Sequence, residues 1–204
     1  MSIKLVTYDV YMALLDIEGS LVPVVQETLN LDADIATAFV RLWRTKQMER
    51  AAISNSLGKN RTSFRECTEM ALNYCLGRHK IAPLPDTRHS LVCAWDRLRP
   101  WAEADASIAA VKAKGYQTAI LSNGDQNMLE AAASKFSPNT FDHILSSESA
   151  GHYKPHFAIY DIPTTLLGIA KEDIVHVAGS SNDVLGTISA GIQCIWSNRH
   201  ADQL

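Results

Sequence analysis

Residues 116–121 read Tyr-Gln-Thr-Ala-Ile-Leu, a strand pattern that ends at the polar cluster Ser122-Asn123-Gly124. Helical patterns stand on either side of it, at 103–114 and 126–135. Strands that alternate with helices are typical of a parallel sheet whose two faces are covered by helices. This stretch therefore predicts an α/β fold.

The same alternation continues towards the C-terminus and has one member near the N-terminus. The further segments predicted by it are strands at 3–8, 141–145, 174–178 and 192–196 and helical stretches from Pro155 and at 183–190. Together they predict a Rossmann-like, doubly wound parallel sheet.

A segment with helical periodicity and no strand pattern interrupts this alternation. Apolar residues recur at helical intervals from Asp32 to Gly58, with Asp32 as a cap. Ser63-Phe64-Arg65-Glu66 has the form of a capping box and opens a helix that should end at Gly77. A third helix is predicted from Asp86 to Leu98. We therefore predict residues 1–15 plus 99–204 as the core and 16–98 as an all-helical insert.

Composition narrows the class of protein. The chain has 204 residues, a formal charge of −3 and 47% hydrophobic residues, which is ordinary for a globular protein and argues against a nucleic-acid partner. No apolar run approaches the roughly 20 residues that cross a bilayer, so no membrane partner is expected. The N-terminus does not resemble a secretory signal, and four cysteines without framework spacing indicate reduced thiols. We expect a cytoplasmic protein.

The charge is unevenly distributed. Residues 41–99 contain 12 Lys and Arg against 5 Asp and Glu, a balance of +7 in a chain of net charge −3. A basic segment of this kind can attract an anion, although a solvated helical surface explains it equally well.

Three polar groups follow strands of the predicted sheet. Asp9 follows the first strand, Ser122-Asn123-Gly124 a later one, and Ala178–Asp183 a third. The carboxyl ends of parallel strands meet at one edge, where chemistry gathers in such sheets. We expect these groups to lie close together.

Each of these residues has a chemical role and a simpler structural one. Asp9 is a candidate nucleophile or a turn residue, and Asp183 can position water, pair with Lys154 or merely cap a helix. Lys154, before a Pro155 that can begin a helix, would hold Asp9 ionised or lie on the surface. Ser122 and Asn123 suit an anionic group but are also common in turns.

Outside the sheet, Arg44 can bind a carboxylate or a departing halide, or be solvated like most helical arginines. The seven histidines form no convincing ligand set, and His152 and His156 are separated by Pro155, so no metal site is predicted.

The order of these motifs resembles the haloacid dehalogenase-like hydrolase superfamily, and more closely its type II 2-haloacid dehalogenases. The similar segments are Tyr8-Asp9-Val10-Tyr11, Leu42-Trp43-Arg44-Thr45-Lys46-Gln47-Met48-Glu49, Leu121-Ser122-Asn123-Gly124, Tyr153-Lys154-Pro155 with Tyr160, and Gly191–Arg199. The Asp motif and the Lys are shared across the superfamily. The segment with Trp43 and Arg44 is what distinguishes the 2-haloacid dehalogenases within it. The resemblance covers nearly the whole chain and implies that the helical insert is a cap domain.

The resemblance implies hydrolytic dehalogenation of short (S)-2-haloacids to 2-hydroxyacids. Phosphatases of this fold have a second Asp two residues after the nucleophile, to protonate the leaving group, and here Tyr11 stands there. Halide leaves without a proton, so no such acid is required. The implied substrate is a small anionic haloacid, and no cofactor is expected.

The resemblance also implies roles for individual residues. Asp9 would form an ester while halide departs towards Arg44, and water held by Asp183 and Lys154 would hydrolyse it. Ser122 with neighbouring N–H groups would hold the substrate carboxylate. The remaining implied site residues are Tyr11, Met48 and Phe64 around the reacting carbon, together with Asn123, Tyr160, Ser180 and Asn182.

Some residues depart from the family pattern. Met12-Ala13 stand where Gly-Thr is usual, and Ala178 and Ser180 stand where a Ser-x-Asn is usual, although Ser180, Ser181 and Asn182 can substitute after a local shift. Two alternative functions therefore stay open. One is a small-molecule phosphatase in which Asp9 and Asp183 bind Mg²⁺, and the other is a weak or inactive family member. A homodimer through the insert is implied by resemblance alone.

Overall fold

The computed structural model describes residues 2–58 and 60–204. The chain divides into two compact units. We call the residues up to Leu15 together with Pro100–Leu204 the core unit, and Asp16–Arg99 the helical unit. The helical unit is thus an insertion in the sequence of the core unit.

A parallel sheet forms the centre of the core unit. Within the described residues the strands are β1 (Leu5–Tyr8), β2 (Leu15–Asp16), β3 (Arg99–Pro100), β4 (Gln117–Ser122), β5 (His143–Ser146), β6 (Ile174–Ala178) and β7 (Gln193–Trp196). Five of them pair in the order β5-β4-β1-β6-β7, and every pair is parallel. The predicted α/β fold is confirmed.

Helices connect these strands and build the helical unit. The α-helices of the described part are α1 (Ile17–Leu29), α2 (Ala33–Ser56), α3 (Phe64–Arg78), α4 (Pro85–Cys93), α5 (Ala104–Ala113), α6 (Gln126–Ala133), α7 (Phe157–Tyr160), α8 (Ile162–Leu167) and α9 (Ser181–Ser189). Short 3₁₀ helices lie at Ala94–Arg97 and Lys171–Asp173. Among the described residues, no helix is both long and apolar enough to cross a membrane.

The register of the sheet brings the strand ends together. Residues two apart on a strand share a face, so Leu5 and Thr7 face the same side. In the neighbouring strands Thr7 lies opposite His176 and Tyr8 lies opposite Ile120. Leu5 belongs to a buried cluster with Leu121 of β4 and with side chains of α7 and α8. This face of the sheet is where the candidate site forms.

In the helical unit, the predicted capping box is confirmed at the start of α3. The Ser63 hydroxyl oxygen accepts a hydrogen bond from the Glu66 backbone N–H at 3.1 Å. The Ser63 backbone N–H donates to the Glu66 carboxylate at 2.9 Å. Two backbone N–H groups of the helix start are satisfied in this way, which fixes where the helix begins.

Several predicted helices begin or end elsewhere in the structure. Pro155 does not begin a helix, because His156 is the N-cap of α7 and its Nδ1 accepts from the Ala158 N–H at 3.3 Å. The helix predicted at 183–190 begins at Ser181, so Asp183 is not its cap. The one predicted from Asp86 to Leu98 is α4 followed by a 3₁₀ turn. Helix α1 was not predicted, since it contains Gly19 and Pro23.

Candidate active site

Asp9 follows β1 at the carboxyl edge of the sheet. Its backbone N–H donates to the Val177 carbonyl of the adjacent strand at 2.9 Å, which extends the ladder by one residue. The side chain is 12% exposed. Its Oδ1 accepts from the Ser122 hydroxyl at 2.9 Å, and its Oδ2 accepts from the Met12 backbone N–H at a longer 3.3 Å. The two carboxylate oxygens therefore have different surroundings.

Lys154 brings a buried positive charge to Asp9. Its Nζ lies 3.6 Å from Asp9 Oδ1 and 2.8 Å from Asp183 Oδ2, and its side chain is 6% exposed. Its backbone N–H donates to Asn123 Oδ1 at 2.8 Å, so the loop after β4 holds the lysine in place. Lys154 thus places one positive charge between two buried carboxylates. The predicted pairing of Lys154 with Asp183 is present.

Asp183 lies in the first turn of α9 and accepts hydrogen bonds on both carboxylate oxygens. The Tyr160 hydroxyl donates to Oδ1 at 2.8 Å, and Lys154 donates to Oδ2. Burial alone would raise the pKa of the Asp183 carboxyl, but the charge of Lys154 and the contact with His176 outweigh it and hold the pKa well below its usual value. Asp183 is thus a permanent negative charge and a weak base.

His176 is the residue of this site that the sequence analysis missed. It lies on β6, is fully buried, and its Nε2 is 3.0 Å from both Lys154 Nζ and Asp183 Oδ2. Its Nδ1 is 2.8 Å from the Thr7 hydroxyl. Burial and the adjacent lysine lower the pKa of His176. A signal was present, because one polar residue stands in the otherwise apolar strand Ile174–Ala178.

Tyr11 and the loop after β4 approach each other closely. Tyr11 is 1% exposed. A Cβ atom built on Gly124 would lie 2.7 Å from the Tyr11 hydroxyl oxygen and 2.6 Å from Leu129 Cδ2. Both distances are too short for a side chain, so only glycine fits at position 124. The absence of a side chain there lets the loop pack against Tyr11.

Two predicted residues of the last motif do not join the buried cluster. Asn182 is exposed on α9, whereas the adjacent Asp183 is buried, because successive helical residues point in different directions. The prediction that it contributes to the site with Asp183 is not supported by this placement. Ser180 is half-buried and is the N-cap of α9, where its Oγ accepts from the Asp183 N–H at 3.4 Å. Its contact with the site is through the backbone of Asp183.

In the helical unit, Arg44 is held by the residue one turn further along α2. Its Nη1 donates to Gln47 Oε1 at 2.6 Å, and Gln47 Nε2 donates to the Thr68 hydroxyl at 2.6 Å. Gln47 is fully buried, and Trp43 Nε1 donates to the Thr68 carbonyl at 2.8 Å. Trp43 and Gln47 thus connect α2 to α3 by hydrogen bonds to Thr68, and Gln47 also holds Arg44. The other two predicted residues of this unit are Met48, which is half-buried on α2, and Phe64, which is buried at the start of α3.

The histidine pair considered for metal binding is stacked. The rings of His152 and His156 lie with centroids 3.8 Å apart and planes 13° from parallel. Within residues 2–58 and 60–204 there is no group of three or more His, Cys, Asp or Glu side chains arranged to hold a metal ion.

Comparison with known proteins identifies the family. The model of the family described as haloacid dehalogenase-like hydrolase matches residues 3–191. The chain belongs to this family.

Relatives of this hydrolase extend over almost its whole length. It is 29% identical over 199 residues to haloacetate dehalogenase H-2 of Moraxella sp. (strain B), covering 97% of this chain and 87% of that protein. It is 30% identical over 195 residues to (S)-2-haloacid dehalogenase H-109 of Pseudomonas putida, covering 95% and 85%. The solved structure of L-2-haloacid dehalogenase from Xanthobacter autotrophicus with chloropropionic acid covalently bound is similar with a TM-score of 0.85 at 25% identity, covering 94% and 76%.

The departures of this haloacid dehalogenase-like hydrolase from the family pattern lie beside Asp9. Met12 still donates its backbone N–H to Asp9, but the buried Ala13 has no hydroxyl to offer. A Cβ atom on Gly179 would lie 2.5 Å from the Ala13 nitrogen and 2.6 Å from Met12 Cβ. The 12–13 segment is therefore packed directly against the backbone that follows β6. Ala178, also buried, adds no polar group on this side.

Proposed function

We propose that this hydrolase cleaves the carbon–halogen bond of short (S)-2-haloacids and releases 2-hydroxyacids through an ester on Asp9. The observation that carries the proposal is the buried Asp9 carboxylate beside Lys154, with Tyr11 in place of a second acid. A carboxylate is a nucleophile that can form an ester with carbon, and a halide needs no protonation as it leaves. Two curated relatives named dehalogenases, and a related structure with covalently bound chloropropionic acid, support the same chemistry.

The unequal surroundings of the two Asp9 oxygens suggest how they divide the first step. Oδ2 accepts one long hydrogen bond from Met12, whereas Oδ1 accepts from Ser122 and faces Lys154. The less engaged Oδ2 attacks C2 of the substrate from the side opposite the halogen. The C2–O bond forms as the carbon–halogen bond breaks, halide takes the electron pair, and C2 is inverted.

In the second step, the surroundings of Oδ1 become important. Oδ1 is now the carbonyl oxygen of the ester, and water adds to the carbon that bears it. The developing negative charge on Oδ1 is stabilised by the Ser122 hydroxyl and the Lys154 ammonium, as in an oxyanion hole. The Cγ–Oδ2 bond then breaks, and the 2-hydroxyacid leaves with Oδ2 as its hydroxyl oxygen and one proton of the water. The water oxygen stays in the Asp9 carboxylate, and the second proton passes to solvent. Asp183 orients the water by its charge, since its low pKa makes it a weak base.

Roles in substrate binding are part of the same proposal and follow the resemblance to the family. Arg44 receives the halide, because its guanidinium is a cation whose orientation Gln47 fixes. Tyr11, Met48 and Phe64 provide apolar surface for the reacting carbon, where removal of water makes a carboxylate more reactive. The substrate carboxylate binds to backbone N–H groups near Ser122 and Asn123. Tyr160 contributes through Asp183, to which its hydroxyl donates.

Chloride release from the two enantiomers of 2-chloropropionate tests the proposal. We expect release from the (S) enantiomer alone, at the same rate with and without a chelator. Release of phosphate from small phosphate esters, dependent on Mg²⁺ and without chloride release, would instead assign the phosphatase function. Release of neither ion from broad panels of both substrate classes would indicate a family member that has lost catalysis.

A further inference from the structure

His176 occupies the centre of the buried charged cluster without being a residue that the family motifs include. Its Nε2 forms a triangle with Lys154 Nζ and Asp183 Oδ2, with sides of 3.0, 3.0 and 2.8 Å. The groups that face its ring are Thr7 from β1, Lys154 from the loop before α7, Asp183 from α9 and the edge of the Tyr160 ring, whose centroid is 6.2 Å away. All of these are buried.

The contacts favour one neutral tautomer of His176. Two groups lie 3.0 Å from Nε2, and Asp183 Oδ2 is the one of the two to which an Nε2–H can donate, because a carboxylate oxygen only accepts. His176 therefore carries its proton on Nε2. Nδ1 is then an acceptor, and the Thr7 hydroxyl can donate to it across 2.8 Å. Lys154 and His176 both donate to the same carboxylate oxygen, and the remaining ammonium protons of Lys154 are available to Asp9.

The position of His176 on β6 explains how it reaches this cluster. Residues 176 and 178 share a face of the strand, because side chains alternate along it. At 178 this chain has a buried alanine where the resemblance leads us to expect a serine. A longer polar side chain two residues earlier on the same face can thus supply the hydrogen bond that Ala178 cannot.

We propose that His176 is a positioning residue, which donates from Nε2 to Asp183 and so fixes the Asp183–Lys154 pair for the reaction at Asp9. This inference rests on the proposed function. His176 does not touch the substrate in this scheme, and it acts through the carboxylate that it orients. Loss of its N–H leaves Asp183 with fewer donors and leaves Lys154 free to move towards it and away from Asp9.

Two substitutions separate the hydrogen bond from the volume of the ring. His176→Phe retains a ring without nitrogen, and His176→Gln retains an N–H donor at a similar reach. We expect His176→Phe to lower kcat for (S)-2-chloropropionate by about tenfold or more while KM changes by less than about twofold. His176→Gln should retain most of the turnover. His143→Phe removes a histidine from β5 of the same sheet, outside the site, and serves as the matched control.

A hydroxyl introduced at position 178 distinguishes a hydrogen-bonding role of His176 from a packing role, because a hydroxyl there would not compensate for lost packing. Ala178→Ser added to His176→Phe should recover much of the lost kcat. Wild-type turnover in folded His176→Phe would overturn the proposal. So would an equal loss in the Phe and Gln variants, or a loss that Ala178→Ser leaves unchanged.

Nitrogen NMR of ¹⁵N-histidine-labelled protein tests the hydrogen bonds independently of activity. The His176 signal, assigned by its loss in His176→Phe, should show a protonated Nε2 and an unprotonated Nδ1 at neutral pH. The opposite tautomer would overturn the inference even in an active enzyme. If the protein releases no halide, the proposed function fails, whereas the tautomer still decides whether His176 orients Asp183.

Discussion

The chemistry proposed for Asp9 depends on its charge more than on its shape. Asparagine has nearly the same size and keeps an oxygen that Ser122 or Met12 can contact. It has no negative charge, however, and an amide oxygen is a poor nucleophile towards carbon. The residue thus offers a test in which structure and chemistry separate.

Asp9→Asn is expected to lower halide release by about three orders of magnitude or more, as for other essential nucleophiles. Chloride release from (S)-2-chloropropionate, with circular dichroism to verify folding, checks this. Asp105→Asn changes a half-buried carboxylate outside the site, which accepts from Ser137, and should retain wild-type activity. Chloride release by folded Asp9→Asn at the wild-type rate would exclude Asp9 as the nucleophile.

Ser122→Ala should slow the second step more than the first. The hydroxyl donates to Asp9 Oδ1, where negative charge develops during ester hydrolysis, and loss of one such donor typically costs about 10²-fold. The ester should then accumulate, giving a burst of chloride and a covalent adduct on the Asp9 peptide in mass spectrometry. An equal slowing of both steps, with no adduct, would contradict the division of roles between Oδ1 and Oδ2.

At the level of single residues, prediction succeeded where strand ends converge. Asp9, Ser122 and Asp183 follow strands whose carboxyl ends meet at one edge of the sheet. The structure brings Asp9 into contact with Ser122 and places Lys154 beside both Asp9 and Asp183. His176 lies inside a strand and not at its end, so the convergence of strand ends does not indicate it, and its one signal is that it is polar in an apolar strand. Asn182 is implied by the resemblance as a substitute for the usual Ser-x-Asn, but a helix turns the side chains of Asn182 and Asp183 in different directions. The assignment of all these residues to catalysis stays a prediction.

Among the elements, helix α9 packs closely against Tyr160 at Gly186. A Cβ atom on Gly186 would meet the Tyr160 hydroxyl and would lie 2.8 Å from Pro155 Cβ. Gly186→Ala should therefore destabilise the protein by about 1–3 kcal/mol, as overpacking does, and should weaken activity because Tyr160 donates to Asp183. Urea unfolding measures the first effect and chloride release the second.

Gly77 in α3 is the matched control for this substitution. Nothing lies within 4 Å of a Cβ atom built there, so Gly77→Ala should stabilise by up to about 1 kcal/mol through helix propensity. Equal effects at positions 77 and 186 would show that packing against Tyr160 is not what restricts α9.

Helix α2 contains the segment that resembles the dehalogenase signature. Two of its arginines have different surroundings. Arg44 is held by Gln47, whereas Arg41 is exposed and paired with Glu18. Arg44→Ala should lower kcat by about 10²-fold if its charge stabilises the departing halide. Arg41→Ala should remain near wild type, and Gln47→Leu should fall between the two. Steady-state chloride release compares the three, and a near wild-type rate for Arg44→Ala would remove it from the reaction.

Elements with strong periodicity or explicit caps were predictable from the sequence. The capping box fixed the start of α3, and the alternation of strands and helices fixed the sheet. Helix α1 escaped because Gly19 and Pro23 usually break helices, although Asp16 caps it by accepting from the Gly19 N–H at 2.8 Å. Local residues thus predict an element best when its ends are fixed by its own side chains.

At the scale of the whole molecule, some basic residues of the segment 41–99 are paired with acidic side chains in the fold. Arg41 pairs with Glu18, which lies outside the basic segment 41–99, and Arg65 pairs with Asp96 inside it. Counting charges along the chain cannot identify these partners, because pairing depends on the folded positions. The proposal for Arg44 rests on its fixed orientation and not on the net charge of the segment.

The buried charged cluster also predicts how the stability of the molecule depends on pH. Unfolded histidine has a pKa of about 6.5, and the pKa of His176 is lowered by burial and by Lys154. Below pH about 6.5 the unfolded chain therefore binds a proton that the folded chain does not, and the free energy of unfolding decreases as the pH falls. Asp183 also has a lowered pKa, so the stability that it contributes above pH about 4 is lost below that value.

The expected outcome is a free energy of unfolding that declines from pH 7.5 to pH 4.5 and more steeply below it. In the upper part of this range His176→Phe should flatten the decline, by at most about 1.4 kcal/mol per pH unit for one proton. Urea unfolding at half-unit pH intervals measures both curves, with His143→Phe as the control for loss of a histidine. Parallel curves for wild type and His176→Phe would mean that His176 is not held neutral, and the hydrogen bonds assigned to its ring would then be wrong.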